Sequence, residues 1–454
     1  MRIGLSLVVI VDLLIRWSDL EAHYTDAGIW PTDLLKNFGW QDGFWSFHVL
    51  SGNKIYTTII FSIHFIIACL VLIGYKTRIA TLLLWLFTIS LHNRNLFVLQ
   101  SGDDLLRVAL FWTVFLPWNS YFSFDARKSN IKQREPFFNV AIFGFIILIC
   151  SVYVFTVLFK NSAEWRTDFT AIYYALSLEQ IRLPLGDWLY QFPQGMKVLT
   201  AMAYWIEILI PILILLPFRK KQTYFLAFIF IVLLHLSIGL TMEVGMFHWI
   251  DISTALIFIP GKAFDKIGLR LRTFGIGYKK RKNHLLNFLK NAFLSFCIII
   301  CIVHNLSGFN WFKYELDDSF QVVVNGLRLN QYWGMFSPTI MKEDGWYIYE
   351  GFDKDGKHWD LKYNNPIIIV DKPEHIVNDY KNDRWRKLAE NVQRIDYTFL
   401  RPLVCKYYLR KWNKEHPEKQ MASLRLLFME ESSLENYQTK PIEKKEFCFC
   451  ITEP

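Results

Sequence analysis

Lys160 stands at the boundary between an apolar segment that ends at Phe159 and a more polar segment. Glu164 and Trp165 follow it at four and five residues. A lysine in this position is commonly an anchor whose amine reaches the membrane surface. If the amine faces a dry pocket instead, loss of hydration lowers its pKa, and it becomes a candidate base at neutral pH. Lys160 is therefore the first candidate catalytic residue.

A histidine inside an apolar segment is the second candidate. His235 lies ten residues before Gly245, with Glu243 between them and Met246 directly after the glycine. Ionisable side chains inside a membrane are costly to bury, so they commonly serve a function. The alternative for His235 is a hydrogen bond between two helices.

Polar residues also close one apolar segment and open the next. His92 and Arg94 end the first segment, and Asp103, Asp104 and Arg107 begin the second. Carboxylates are favoured at a helix N-terminus by the helix dipole, so capping and ion pairing would explain much of this motif. If the five side chains face one hollow, they line a pocket for a substrate or cofactor.

No metal or nucleotide motif is convincing. His248 and Asp251 lie three residues apart, but two ligands at this spacing are a weak metal signal. The sequence has no Walker loop, no dinucleotide-binding glycine motif and no serine nucleophile elbow. We therefore predict no metal site and no pyrophosphate cofactor.

These candidates lie in a chain with the composition of a membrane protein. Of its 454 residues, 53% are hydrophobic and 20% are charged, and the apolar residues occur in runs. The first run begins at Met1, contains Asp12 and has no cleavage site after it, so we expect a retained helix. The sequence predicts an α-helical polytopic membrane protein with eight or nine transmembrane helices. The candidate segments are 4–15, 57–73, 79–91, 105–118, 137–159, 198–218, 224–240, 247–259 and 285–306.

The loop charges predict how the chain is oriented. Cytoplasmic loops collect Lys and Arg. With a cytoplasmic N-terminus, the inside loops 74–78, 119–136, 218–222 and 261–284 hold 17 Lys and Arg. The loops on the other side, at 17–56, 92–104, 160–197 and 241–246, hold only 7. The net charge of +9 is therefore an orientation signal, and we predict no nucleic-acid partner.

The composition changes after residue 306, and we predict two domains, 1–306 in the membrane and 307–454 outside the cytoplasm. We call the second the tail and expect a mixed, β-rich fold. We call residues 1–306 the membrane half, and an aromatic turn at 330–338 is predicted to dock onto it. The predicted elements are strands at 320–329, 366–370 and 424–430, a hairpin of 346–352 with 357–363, and a helix over 383–411.

Three of the seven cysteines lie in the tail, at Cys405, Cys448 and Cys450. If 447–451 is a strand, Cys448 and Cys450 point to the same face, and either could pair with Cys405. The alternative is that all three are unpaired or purely structural thiols.

The chain resembles the HTTM family, which is the membrane domain of vitamin K-dependent γ-carboxylases and of their bacterial relatives. The resemblance is carried by residues 18–28, 92–95, 102–107 and 332–336. In the carboxylases, a Lys followed after four residues by an acid-Trp pair is the base that deprotonates vitamin K hydroquinone, and Lys160 with Glu164 and Trp165 has that spacing. A His ten residues before Gly-Met-Phe is also common to both. An Asn-His pair of the carboxylases corresponds to Gly102-Asp103 here.

The resemblance implies a quinone-dependent enzyme of the bacterial cytoplasmic membrane. Lys160 and His235 would be catalytic, and His92, Arg94, Asp103, Asp104, Arg107, Glu164, Trp165, Glu243 and Met246 would line the pocket. The expected cofactors are a reduced quinone of the vitamin K or menaquinone type, O2 and CO2. The expected substrate is a secreted or membrane peptide or protein. The alternative is a non-enzymatic module that helps to mature or export secreted peptides.

Overall fold

A computed structural model describes residues 1–119, 122–127, 131–132, 139–259, 274–275, 284–312, 314 and 317–452. The basic residues of the predicted inside loop 261–284 lie outside the described residues, as do Lys128 and Arg134.

The first two thirds of the chain are helical. The helices are α1 (Arg2–Trp17), α2 (Leu20–Tyr24), α3 (Thr32–Phe38), α4 (Lys54–Ile73), α5 (Thr77–Arg94), α6 (Ser101–Val114), α7 (Phe124–Arg127), α8 (Val140–Phe159), α9 (Ala163–Arg166), α10 (Ala171–Ser177), α11 (Pro184–Tyr190), α12 (Pro193–Leu215), α13 (Lys220–Thr241), α14 (Phe247–Ala255) and α15 (His284–Leu306). Two short strands, β1 (Ile131–Lys132) and β2 (Phe274–Gly275), pair antiparallel.

Five of the described helices are long and apolar enough to cross a membrane, namely α4, α8, α12, α13 and α15. Each of the nine predicted apolar segments contains a helix, but α1, α5, α6 and α14 are not among these five. The structure therefore supports a membrane protein with several spanning helices, while the count of eight or nine spans stays a prediction.

Helix α8 is the centre of the helical packing. It contacts α6, α12 and α15, and it is the most buried of the five long helices. Gly144 makes this approach close, because a Cβ at that position would lie 2.4 Å from the ring of Trp112 in α6. Asn139 caps the start of α8 by accepting a hydrogen bond from the backbone N–H of Ile142 at 2.9 Å.

The tail contains helices and one antiparallel sheet. Its helices are α16 (Asp318–Leu327), α17 (Asp383–Gln393) and α18 (Leu400–Glu415), and its strands are β3 (Glu343–Phe352), β4 (His358–Asp360), β5 (Ser423–Ser432) and β6 (Glu443–Ile451). The strand order is β4-β3-β5-β6. The predicted hairpin is confirmed as β3 and β4, and the predicted strand 424–430 as β5. The predicted helix 383–411 is confirmed, with a break between α17 and α18.

Two strand predictions in the tail are wrong. Residues 320–329 form helix α16, because Asp317 caps its first turn through the backbone N–H of Ser319 at 3.0 Å, and this start outweighs the β propensity of three consecutive valines. Residues 366–370 form no strand, because side chains take their backbone groups. Asp360 accepts from the N–H of Ile369 at 3.0 Å, and the indole of Trp346 donates to the carbonyl of Val370 at 3.2 Å.

The predicted docking of the aromatic turn is confirmed. Leu329 and Trp333 are fully buried in the same core as the apolar helices. Thr156 in α8 donates a hydrogen bond to the carbonyl of Trp333 at 3.0 Å. The turn is therefore part of the helical core, although it follows the last apolar helix in sequence.

Candidate functional site

Lys160 ends helix α8 and turns its side chain into the protein. Its backbone N–H still bonds to the carbonyl of Thr156 at 3.1 Å, but its own backbone leaves the helical conformation. The side chain is only 4% exposed. Lys160 is therefore not an anchor reaching the membrane surface.

The amine of Lys160 is enclosed by a carboxylate and an aromatic face. Its Nζ donates to both oxygens of Glu207, in α12, at 2.7 Å each. The same Nζ lies 3.8 Å from the ring centroid of Trp165, close enough for a cation–π contact. The Trp165 indole is held in place because it donates to the carbonyl of Phe336, in the aromatic turn, at 2.8 Å.

Burial and pairing act on this amine in opposite directions. Burial lowers the pKa of Lys160, because the ammonium ion loses its hydration, while the Glu207 carboxylate raises the pKa. The loss of hydration is the larger effect, and the pKa is lowered overall. The proton of this pair is therefore easier to move than the proton of an exposed lysine.

An apolar groove reaches the Lys160–Glu207 pair from the side of the helices. It lies between α8 and α12 and has a volume of about 520 Å³. Val154, Val157 and Leu158 form one wall, Pro211 lies in the other, and Glu207 is the ionisable residue of the lining. The exposed surface of the groove is apolar, so a hydrophobic molecule in it would lie against the apolar part of the Glu207 side chain, next to the buried ion pair.

His235 belongs to a second buried polar group, which is separate from the Lys160–Glu207 pair. Its Nε2 lies 3.0 Å from the hydroxyl of Tyr153, which stands two helical turns before Lys160 on α8. Its Nδ1 lies 3.6 Å from Oδ2 of Asp251, and neither of these two atoms has a hydrogen-bond partner among the described residues. Tyr153 and His235 thus form a buried polar pair that joins α8 to α13.

Glu164 faces the tail instead of the amine. Its Oε2 accepts from the backbone N–H of Ile340 at 2.9 Å, and its Oε1 lies 3.0 Å from the Nζ of Lys342. The two neighbouring residues therefore have different contacts. Trp165 covers the Lys160 amine, and Glu164 binds the tail segment at Ile340 and Lys342.

His92 and Asp103 lie in a different place, which we call the charge cluster. Its charged members are Asp12, Arg16, Asp103 and Arg384, all buried. Arg16 bonds to Asp12 at 2.7 Å and to Asp103 at 2.6 Å, and Arg384 bonds to each of the two carboxylates at 2.5 Å. His92 Nε2 lies 3.5 Å from Asp103.

The charge cluster ties three elements together and is not suited to a metal ion. Asp12, His92 and Asp103 bring ligand atoms within 4.8 Å of one another. The carboxylates are, however, already neutralised by the two guanidinium groups, which would repel a cation. The cluster joins α1, α6 and α17, and so links the tail to the membrane half.

The other predicted pocket residues surround this cluster or hold loops. Met246 lines a small hollow beside Asp103 and Arg384. Burial raises the pKa of Glu243, and the nearby Asp383 carboxylate raises it further. The remaining three make backbone and ion-pair contacts. Arg94 donates to the carbonyl of Trp30 at 2.8 Å, and Arg107 bonds to Asp104 at 2.8 Å and to the carbonyl of Arg328 at 2.9 Å.

A protein-family model, the HTTM domain, matches residues 31–262, which is about half of the chain. The chain belongs to the HTTM family. No curated protein and no solved structure matches it. The matched range contains Lys160, Glu207 and His235, and it ends before the aromatic turn that holds Trp165.

Sequence reasoning missed Glu207, although a signal was present. It is an acid inside the 23-residue apolar helix α12 of the HTTM domain, four residues before Pro211. Intramembrane acids are functional candidates by default. Because proline has no N–H, the helical hydrogen bond from residue 211 to the Glu207 carbonyl is missing, and this weakens α12 beside the groove.

A larger cavity of this HTTM protein, about 760 Å³, lies away from the lysine. It opens between the tail and residues 18–27, and the residues that line it include Tyr380, Trp385, Tyr407 and Tyr408. None of the residues that touch the Lys160 amine lines this cavity. The volume of a cavity alone therefore does not identify the site that contains the Lys160 amine.

Proposed function

We propose that this HTTM protein is a membrane enzyme in which the Lys160–Glu207 pair takes a proton from a hydroquinone. The observation that carries the proposal is the buried Lys160–Glu207 ion pair, which lies beside an apolar groove between α8 and α12 that the Glu207 side chain borders. Exposed lysines remain protonated at neutral pH, whereas a buried one can act as a base.

The residues present fit a quinone. A quinone has an apolar ring and tail with oxygen atoms at the ring edge, and the groove offers an apolar surface for the ring and tail, with the Glu207 carboxylate buried behind it. The groove lies between two long apolar helices, so the ligand would come from the lipid bilayer. A reduced quinone of the vitamin K or menaquinone type, together with O2, would supply a strong base for removing a proton from the substrate.

The chain's own residues would hold and move the first proton. Transfer of the Lys160 proton to Glu207 converts the ion pair to a neutral amine and a neutral acid, and burial favours neutral forms. The neutral amine then accepts a proton from the hydroxyl group of the ligand. Trp165 would shield the amine from water by covering it.

We further propose that this chemistry serves the carboxylation, by CO2, of a glutamyl group or a related modification of a secreted or membrane substrate. The loop charges favour an orientation with the N-terminus inside and the tail outside, and we propose that the site lies at the outer side of a bacterial cytoplasmic membrane. The position of Lys160, one residue beyond the end of the long apolar helix α8, supports a site near a membrane surface.

A non-enzymatic maturation or export module for secreted peptides is the second candidate. The cavity of about 760 Å³ between the tail and residues 18–27 favours it, because tyrosine-rich surfaces bind peptides through large contacts and hydroxyl hydrogen bonds. This function needs the cavity and does not need an activated lysine.

The experiment measures epoxide formation by the purified protein supplied with reduced menaquinone or vitamin K in the presence of O2. We expect turnover by the wild type, and a loss of about 10²-fold or more in Lys160→Met, which is typical for removing a general base. Lys197→Met is the matched control, because Lys197 is an exposed lysine in the first turn of α12. It should keep full turnover.

A second variant separates lost chemistry from lost folding. Lys160→Met leaves Glu207 buried without a partner, whereas Lys160→Met with Glu207→Leu removes both charges and restores an apolar contact. We expect the double variant to melt near the wild type and to be inactive. Lack of turnover by the wild type with either quinone, or full turnover by the folded double variant, would refute the proposal.

A further inference from the structure

Three thiols meet where the last strand of the tail packs on a helix. Cys405 lies in α18 and is fully buried, and Cys450 lies in β6 and is 7% exposed. Their sulfur atoms are 2.6 Å apart. Both cysteines are free thiols in the structure, and the separation is only about 0.6 Å longer than an S–S bond of about 2.05 Å, so a small movement would join them.

The register of the sheet explains why two cysteines face the same helix. In the pairing of β6 with β5, Cys450 stands opposite Leu424 and Cys448 opposite Leu426. Residues two apart in a strand point to the same face. Cys448 accordingly also faces α18, where its thiol donates to the carbonyl of Arg401 at 3.2 Å, one helical turn before Cys405.

Cys448 is close enough to interact with Cys405, but its exposure differs from that of the other two. It is partly exposed, while Cys405 and Cys450 are buried. No set of three sulfur ligands within 4.8 Å of one another occurs among the described residues, so the three thiols are not arranged around one metal ion. The arrangement is a close pair with a third thiol beside it.

We propose that Cys405 and Cys450 form a disulfide, and that Cys448 remains a free thiol able to exchange with it. The two thiols lose two protons and two electrons as the S–S bond forms. The electrons go to an oxidant of the disulfide class, either a thiol–disulfide oxidoreductase or a small-molecule disulfide, which is reduced to its dithiol form. Attack by the Cys448 thiolate on Cys405 would then release Cys450 as the thiolate.

The Cys405–Cys450 disulfide would attach the edge strand β6 to helix α18. β6 is one of the two edge strands of the sheet and pairs only with β5, while β4 forms the other edge. A link from the end of β6 to the middle of α18 holds the β6 edge against the helix, which protects it from pairing with other chains. The proposal does not depend on Lys160 or on a quinone.

The test is thiol mapping of the full-length protein purified without reductant. The free thiols are alkylated under denaturing conditions, and the protein is digested with chymotrypsin, which cleaves after Phe449 and so separates Cys448 from Cys450. Mass spectrometry should find a Cys405 peptide linked to a Cys450 peptide, with Cys448 alkylated. Incubation with dithiothreitol before alkylation should abolish the link.

Matched serine variants distinguish the two pairings. Cys448→Ser should keep the link at wild-type yield, and Cys450→Ser should shift it to Cys405–Cys448. If Cys450→Ser does not fold, the wild-type map decides alone. Alkylation of all three thiols, even after treatment with oxidised glutathione, would overturn the proposal, and so would a wild-type link between Cys405 and Cys448.

Discussion

Replacing Arg384 with methionine should unfold the protein at a markedly lower temperature. Its guanidinium group bonds to Asp12 and to Asp103, each at 2.5 Å, and it also donates to the carbonyl of Val98 at 2.9 Å. All these partners lie in the membrane half, while Arg384 lies in α17 of the tail. Methionine keeps much of the length of the side chain and removes its charge and all its donors.

The expected loss of unfolding free energy in Arg384→Met follows from the balance of charges in the charge cluster. Arg384 and Arg16 offset Asp12 and Asp103, and the removal of one cation leaves one negative charge buried without a partner. Breaking a buried ion pair in this way costs about 3–5 kcal/mol. At about 2 °C per kcal/mol for a large domain, the melting temperature should fall by about 6–10 °C.

The assay is thermal unfolding of the detergent-solubilised protein, followed by tryptophan fluorescence. Arg410→Met is the control, because Arg410 also joins the tail to the membrane half but is exposed and donates only to the carbonyls of Ala27 and Gly28. It should change the melting temperature by less than about 2 °C, as surface substitutions usually do. Adding Asp12→Asn to Arg384→Met removes the uncompensated charge and should recover part of the loss. A melting temperature of Arg384→Met within 2 °C of the wild type would refute the reasoning.

Two further predictions concern the groove and the tail. Pro211→Ala supplies the N–H that the Glu207 carbonyl lacks, so α12 should straighten, the melting temperature should rise, and quinone turnover should fall at least tenfold as the groove narrows. Unchanged turnover would contradict this role of the proline. Burial raises the pKa of Asp344 to about 7, although backbone N–H groups of Glu179, Gln180 and Gly345 partly oppose the rise. Since the unfolded value is about 3.8, its contribution to stability is present below pH 4 and is lost toward pH 7, by up to about 4 kcal/mol. The melting temperature of the wild type should therefore fall relative to Asp344→Asn over this range, and parallel curves would contradict the shift.

The helical part of the fold could be predicted from sequence, because its signal is local. Each apolar run is long enough to be recognised, and the aromatic turn was placed on the helices by its composition. The tail was less predictable where the local signal and the tertiary contacts disagree. Three consecutive valines at 322–324 favour a strand, yet the cap at Asp317 and the packing of the segment beside Gly43 select a helix.

The candidate site was predictable only in part. Lys160 and His235 stand out in the sequence because each is an ionisable residue at the end of or inside an apolar segment, whereas the role of Trp165 is implied only by the family resemblance. Glu207 was missed because its meaning depends on a partner 47 residues away, which no local pattern reveals. The family resemblance implies that His92 and Asp103 share a pocket with the lysine. The structure instead places them with Arg384, a tail residue whose role could not be read from its neighbours in sequence.

The burial of Lys160 depends on residues outside the matched HTTM range. The indole that covers the amine is held by the carbonyl of Phe336, and the neighbouring Glu164 is held by the N–H of Ile340. Both partners come from the tail, beyond residue 262. An HTTM domain without this segment would keep the lysine and the carboxylate but would lose the fixed position of the aromatic cover. Since the lowered pKa of the lysine comes mainly from its burial, the tail contributes to that lowering by fixing the indole that covers the amine.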